Sequence, residues 1–210
     1  MPNLIVLTSA AGQTLYMTFI STLLACLVGF PLGLGLFTLS PTGIRPCRNA
    51  YKRTSCIIRL FRSVPFIILM ILLFRVFRFI APGETWTSVI APLTISAIPF
   101  VTQTVENAFA RVNLNIIHAA RAMGSTDFQI VKKVLIPEAL SGLISGLTLT
   151  IINLLGYSAA AGALWGCGLG GLIIQSNVPL TAAAGVIILL LIESVQILGA
   201  LATRNIAISK

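Results

Sequence analysis

Charge is scarce in this chain. Only 9% of its 210 residues are charged, with 5 Asp+Glu and 14 Lys+Arg, where an average soluble domain carries about 25%. So few charges cannot cover a water-facing surface, which excludes a soluble globular protein. With 57% hydrophobic residues, disorder is excluded as well, because there is ample apolar surface to bury. The single histidine, His118, excludes a His-x-x-x-His zinc site. None of the four lysines, Lys52, Lys132, Lys133 and Lys210, is followed by Ser or Thr, so there is no Walker P-loop. Serine nucleophiles lack a base other than His118, which makes an enzyme an unsuitable reading. Cys26, Cys47, Cys56 and Cys167 give neither a disulfide framework nor a metal-ligand spacing.

What remains is a mean hydropathy of +1.00 and apolar runs along the whole length, the mark of a polytopic membrane protein. A helix needs roughly 20 residues to cross the hydrocarbon core. Five stretches meet that length: 15–39, 64–80, 89–105, 143–164 and 182–202. The second has Arg59 and Arg62 before it and Arg75 and Arg78 at its far end. Arginine stems of that length snorkel to the headgroups. The expected fold is therefore all-α with five spans, residues 1–14 forming an outer segment and 203–210 a cytoplasmic tail.

The surplus of basic residues is read by position. Arg45, Arg48, Lys52, Arg53, Arg59, Arg62, Arg111, Arg121, Lys132, Lys133, Arg204 and Lys210 fall on one side of the five spans, and Arg75 and Arg78 on the other. The positive-inside rule then places the N-terminus outside and the C-terminus in the cytoplasm. Topology accounts for the net charge of +9, and no nucleic-acid partner is needed. No basic residue precedes Arg45, so a secretory n-region is missing and the first span is expected to stay as an anchor. Trp86 and Trp165 fall near the outer boundaries, as interfacial aromatics should.

One connection is too long for a turn. The cytoplasmic stretch 106–142 reads as two short helices. Residues 113–123 are helical in composition, with Gly124 as the C-terminal cap. Thr126-Asp127-Phe128-Gln129 forms a capping box that opens the next helix. Phe128, Val131, Leu135 and Ile136 give this helix an apolar face, Lys132 and Lys133 a polar one. Pro137 is expected to break or kink it before the fourth span. By pattern alone the stretch is either an amphipathic hairpin on the lipid surface or a docking element for a cytosolic partner.

His118-Ala119-Ala120, then Gly124, then Val134-Leu135-Ile136-Pro137, resembles the Glu-Ala-Ala loop of ABC importer permeases, whose pattern is Glu-Ala-Ala, three residues, Gly, nine residues, Ile-x-Leu-Pro. The spacing is identical. Val134 and Ile136 are conservative departures, and His118 stands where the family has Glu. Phe61-Arg62-Ser63-Val64-Pro65, Val105-Glu106-Asn107-Ala108, Arg121-Ala122-Met123-Gly124 and Leu155-Gly156-Tyr157-Ser158-Ala159 further resemble the methionine-type permeases of that family. The resemblance implies a type I ABC permease. Its loop, with His118, Ala119, Ala120, Arg121, Gly124, Val134, Ile136 and Pro137, would seat as a coupling helix in a groove of an ATP-binding subunit. Ala119 and Ala120 would allow close approach, and Gly124 the left-handed turn. The resemblance also implies a homodimer in a bacterial inner membrane, two cytosolic ATPase subunits that hold the ATP and Mg2+, and an outer substrate-binding lipoprotein. This chain would bind no cofactor of its own.

Within the spans, Gly142-x-x-x-Gly146 and Gly156-x-x-x-Ala160 permit close helix packing, inside the chain or at a dimer seam. Asn153, Tyr157 and Ser158 are polar groups that either line a solute path or bond between helices. Glu193 is a substrate-path candidate by its ionisable character, with a structural or vestibule role as the other reading. The glycines from Gly162 to Gly171 suggest a compact re-entrant turn. Competing classes are an ion-coupled transporter or channel, an ABC permease for another small polar solute, and a membrane scaffold that recruits a partner without transport.

Overall fold

The computed structural model describes residues 2–80 and 86–208, and every regular element among them is helical. Lys210 and the side chains of Arg78 and Trp86, used above for topology, lie outside the described residues. Helix α1 runs Pro2–Leu39, α2 Arg48–Ser63 and α3 Phe66–Ile80. A 3-10 turn, Trp86–Val89, leads into α4, Ile90–Ala110. The long connection holds α5, Leu114–Ala122, and α6, Asp127–Ile130. Then follow α7, Ile136–Trp165, α8, Gly168–Gln175, and α9, Val178–Ile208.

Three helical stretches are long and apolar enough to cross a membrane: Leu4–Leu39, Asp127–Trp165 and Val178–Ile206. A fourth is reached if α2 and the start of α3 count as one bent span. Helix α4 falls outside that set, although its 21 residues rise about 32 Å. The sequence expectation of five spans is therefore not reproduced by length and composition of the helices alone.

Helix α1 starts at Pro2, not at Leu15, so residues 2–14 are helix and not a separate segment. The reason lies at the far end of the chain. Gly168 and Leu169 open α8, whose N-cap Cys167 offers no side-chain bond. Gln13 Oε1 accepts the Gly168 N–H at 3.0 Å and Thr14 Oγ1 the Leu169 N–H at 2.9 Å. Orphan donors at a buried helix start are satisfied by α1, and this fixes α1 as a helix there. Similarly, α9 continues to Ile208, so most of the expected tail is helical.

The stretch 40–63 reads in sequence as a basic loop. In the structure its second part is α2, amphipathic, with Ser55 buried and Arg48, Lys52 and Arg59 exposed. Tyr51 donates to Glu106 Oε1 at 2.8 Å and so ties α2 to α4. The axis turns by 88° between α2 and α3. Pro65 forces this, since its ring excludes the α region for the residue before it. Val64 is accordingly extended, at φ −76° and ψ 123°.

Helices α1, α4 and α7 form the centre. Gly29 and Gly33, one turn apart, bring α1 against α4: a Cβ at Gly29 would lie 2.8 Å from Val101 Cβ. On α7, Gly142 faces Ala108 and Gly146 faces Thr104 of α4, so the first small-residue pair of the fourth span packs inside the chain. Gly156 has no neighbour within 4 Å of a Cβ position, which leaves that pair on an open face. Buried hydroxyls of Thr14, Thr18, Thr22, Thr102 and Thr150 donate to carbonyls four residues back in their own helices, which satisfies them in an apolar surrounding. All four cysteines are free thiols.

After Gly166, left-handed at φ 68°, α8 folds back along the end of α7. A Cβ at Gly171 would lie 2.5 Å from the Gly166 carbonyl carbon, and one at Gly170 would strike the Ala159 carbonyl oxygen. The glycine run therefore serves a close helix return, as the compact-turn expectation has it.

Candidate functional site: the loop between α4 and α7

The loop is a small folded unit. Helix α4 ends at Arg111, and Asn113 caps α5 by accepting the Asn115 N–H at 3.0 Å. Helix α5 closes on Gly124 at φ +79°. The Gly124 N–H reaches the Arg121 carbonyl at 3.0 Å and the Ser125 N–H the Ala120 carbonyl at 3.1 Å. This pair of bonds is the Schellman closure, which needs a residue that tolerates positive φ. The chain then turns at once into the Thr126 capping box: Gln129 N–H donates to Thr126 Oγ1 at 3.4 Å and Thr126 N–H to Gln129 Oε1 at 2.9 Å.

Pro137 does not break the following helix. Residues Asp127 to Trp165 run as one helical stretch. The five residues before α7, Val131–Leu135, form a π turn, and the Ile136 N–H bonds the Val131 carbonyl. Proline lacks an N–H and its ring crowds the carbonyl four residues back. The wider π turn ahead of it relieves that crowding and re-pairs the neighbouring donor, so the sequence-level break is replaced by a bulge.

The residues of the motif divide into two sets. Ile117 and Ala120 of α5, with Ile130, Leu135 and Ala139, are buried in one cluster with Phe109, Val112, Phe37 and Leu154. Val134 and Ile136 pack against the same cluster. Burying side chains such as Ile130 and Leu135, both 0% exposed, contributes about 1.5–3 kcal/mol each. The loop's inner face is thereby continuous with the core of α1, α4 and α7. Ala120 is thus small so that α5 can sit on this core, and not for approach of a partner.

The other set faces outward. Asn115, His118, Ala119 and Ala122 lie at i, i+3, i+4 and i+7 on α5 and are all exposed. Met123 and Phe128 flank them at 79% and 73% exposure. By spacing Phe128 shares one apolar face with Val131, Leu135 and Ile136, of which Leu135 is buried. Position 128 precedes the buried Ile130, and its ring projects to the outside. Gly124 and Pro137 are exposed as well.

Arg121 carries an additional tie. Its Nη2 donates to the Ile44 carbonyl at 2.8 Å and to Asp127 Oδ1 at 3.3 Å. Arg45 Nε donates to the other oxygen, Asp127 Oδ2. Asp127 thus joins the loop after α1 to the start of α6. The Arg45 guanidinium, by its hydrogen bond first, holds the Asp127 carboxyl below the ordinary 3.8. A lowered value means that this contribution is fully present above the ordinary value and fades as pH falls through the shifted one. Neither Arg45 nor Asp127 was legible as a site residue, because contacts across 82 positions leave no spacing pattern. Asp127→Asn should leave the melting temperature of the purified protein nearly unchanged, since the pair is exposed and screened by salt. Any stabilisation it does lose should be present at pH 7 and shrink as pH falls below the ordinary carboxylate range, as read by thermal unfolding at low salt.

Three of the membrane candidates, Asn153, Tyr157 and Ser158, lie within six residues of α7, and Glu193 lies on α9. Tyr157 stacks on Phe66 of α3, with ring centroids 3.7 Å apart. Asn153 is half-buried. Ser158 is buried and donates to the Leu155 carbonyl at 2.8 Å, so its proton is taken up by its own helix and only acceptor capacity remains at its oxygen. Glu193 is exposed on α9 and has no cationic partner among the described residues.

The family described as "Binding-protein-dependent transport system inner membrane component" matches residues 29–207. The chain is 42% identical over 200 residues to the "Probable D-methionine transport system permease protein MetI" of Haemophilus influenzae, covering 92% of this chain and 94% of that protein. It is 41% identical over 162 residues to the D-methionine transport system permease protein MetI of Escherichia coli K12, covering 77% and 75%. Among solved structures, one described as "Inward facing conformations of the MetNI methionine ABC transporter" superposes with a TM-score of 0.92 at 36% identity over 98% of both chains. An amino acid ABC transporter crystallised with histidines shares the fold, with a TM-score of 0.80 at 19% identity. Sequence and architecture agree over nearly the whole length, and the chain belongs to the family of inner membrane components of binding-protein-dependent transport systems.

Proposed function

We propose that this chain is the permease subunit of a methionine ABC importer. It would work as a homodimer with two cytosolic ATP-binding subunits, which hold the ATP and Mg2+, and with an outer substrate-binding lipoprotein. The likeness that supports this most is the match to MetNI over 98% of both chains. On this reading the chain has five spans, α4 and the α2–α3 pair included, with its N-terminus outside and its C-terminus in the cytoplasm. The chain itself performs no covalent chemistry.

The exposed stripe of Asn115, His118, Ala119 and Ala122 is the surface that meets the ATPase, with Met123 and Phe128 beside it. His118 replaces the family's acidic residue there, so the contact relies on shape and apolar area more than on an ion pair. Force enters through α5, passes into the buried cluster around Ile117, Ala120 and Leu135, and reaches α1 and α7 together. A short, core-seated helix moves as a rigid body, which suits a two-state gate.

Reconstitution tests the reading. Vesicles holding this chain and its ATPase should accumulate methionine only with ATP inside and binding protein outside, and hydrolysis should rise when the loaded binding protein is added. Accumulation driven by an ion gradient, with no ATPase present, would overturn it. The ion-coupled alternative gains no support from Glu193, which has no charge partner among the described residues.

A further inference from the structure

Helix α2 carries five basic residues, Arg48, Lys52, Arg53, Arg59 and Arg62, and no acidic one. Beyond setting orientation, the function above gives them no role. Arg48, Lys52 and Arg53 take part in no ion pair among the described residues. Arg59 bonds within its own helix, to the Ser55 carbonyl at 3.1 Å and to Ser55 Oγ at 2.8 Å. Arg62 lies over the Phe100 ring. Three of the five charges thus have no counter-charge in contact.

At 3.6 residues per turn the helix has three sides. Tyr51, Ser55 and Ile58 form the inward one: Ser55 is buried, and Tyr51 donates to Glu106 of α4. Arg48, Lys52 and Arg59 form an exposed basic stripe. Ile57, Leu60 and Phe61 form the third side, and all three are exposed. An open apolar side next to a basic one suits the boundary between hydrocarbon and water. The direction of the helix agrees with that. Its axis stands at 88° to α3, so where α3 crosses the bilayer, α2 runs in the plane of its surface. Exposed apolar side chains resume directly past the bend, at Ile67, Ile68 and Leu72 of α3, which is the surface a span offers to acyl chains.

We propose that α2 is an in-plane interfacial helix that binds anionic phospholipid of the cytoplasmic leaflet. The assignment rests on the orientation given above, with α2 on the cytoplasmic side. Ile57, Leu60 and Phe61 enter the acyl region. Arg48 and Lys52 meet the headgroup phosphates from the water side. Arg53, placed by its helical position among the apolar residues, reaches them by snorkelling. The lipid then holds α2 from outside while the Tyr51–Glu106 bond holds it from within.

The test uses the permease with a cysteine-free ATPase in lipid nanodiscs. Cys26→Ala, Cys47→Ser and Cys167→Ala leave the exposed Cys56 of α2 to carry a bimane fluorophore. The bilayer mixes phosphatidylcholine and phosphatidylglycerol in equal parts, and a bromine quencher sits on the acyl chains of one lipid or the other. Phosphatidylglycerol should be enriched about fivefold at the label, the factor that one basic residue near an anionic surface supports. High salt should shrink that preference. Arg48→Gln, Lys52→Gln and Arg53→Gln together should abolish it, and Arg48→Lys with Arg53→Lys should keep it. Equal quenching by both lipids around the unsubstituted helix would overturn the headgroup site. No quenching by either would overturn the interfacial placement and assign the face to water, the ATPase or a second copy. In spheroplasts the same cysteine should resist a membrane-impermeant maleimide. Labelling from outside would overturn the orientation, a failure separate from that of the lipid contact.

Discussion

Replacing Gly124 with proline is expected to reduce co-purification of the ATPase to background while the chain still inserts in the membrane. Position 124 holds φ +79°, and proline locks φ near −65°. The substitution also removes the N–H that reaches the Arg121 carbonyl, and the changed dihedral draws Ser125 away from the Ala120 carbonyl. Two hydrogen bonds, each worth about 1 kcal/mol net, are lost at the turn that aims α5. The outward stripe would then point elsewhere, while the spans, packed through α1, α4 and α7, would be little disturbed. Gly124→Ala is the control. No atom lies within 4 Å of its Cβ position, so it bears only the conformational cost, about 1–2 kcal/mol, and should assemble at reduced stability. Undiminished ATPase capture by the proline variant would remove the docking role of this loop.

Gly33→Leu is expected to destroy the fold itself. A Cβ there would lie 2.5 Å from the Thr102 carbonyl oxygen and 2.7 Å from Val105 Cβ. The first obstacle is backbone, which cannot rotate away, so α1 and α4 must separate. Overpacking in a core costs about 1–3 kcal/mol where side chains yield; here the upper end of that range or more is expected, because they do not. Yield in detergent should collapse, or thermal unfolding should move far down. Gly35→Leu, two residues on, has open space at its Cβ position and should behave like the wild type. If the two variants unfold at the same temperature, the α1–α4 seam is not as tight as described.

Local chemistry was readable in the sequence, and distance was not. The Thr126–Gln129 capping box and the Gly124 turn depend on neighbours within a few positions, and both form as their residue types require. The direction of α5 follows from periodicity once its inner face is known, but which alanine faces inward depends on the core beneath it, and Ala120 is the one buried. Of the break or kink expected at Pro137, the break does not occur, because proline's penalty assumes an α turn ahead of it and the chain supplies a π turn. Helix α2 was missed because its basic residues dominate the composition, although its apolar residues recur at helical spacing. Ser158 shows the limit of residue type as a guide, since a hydroxyl in a span can be spent on its own backbone. The Gly29–Gly33 pair had the same spacing signal as Gly142–Gly146 and was open to the same reading.

The bonds from Gln13 and Thr14 to Gly168 and Leu169 bear on the order of biosynthesis. Helix α1 leaves the ribosome more than 120 residues before α8 and cannot complete these contacts until residues 168 and 169 have been made. During that interval its first turns wait in the translocon or the lipid without their final neighbours, exposed to quality-control proteases. Closure of the bundle is therefore a late, post-insertion event, and nascent chains halted before residue 168 should be degraded faster than those halted beyond it.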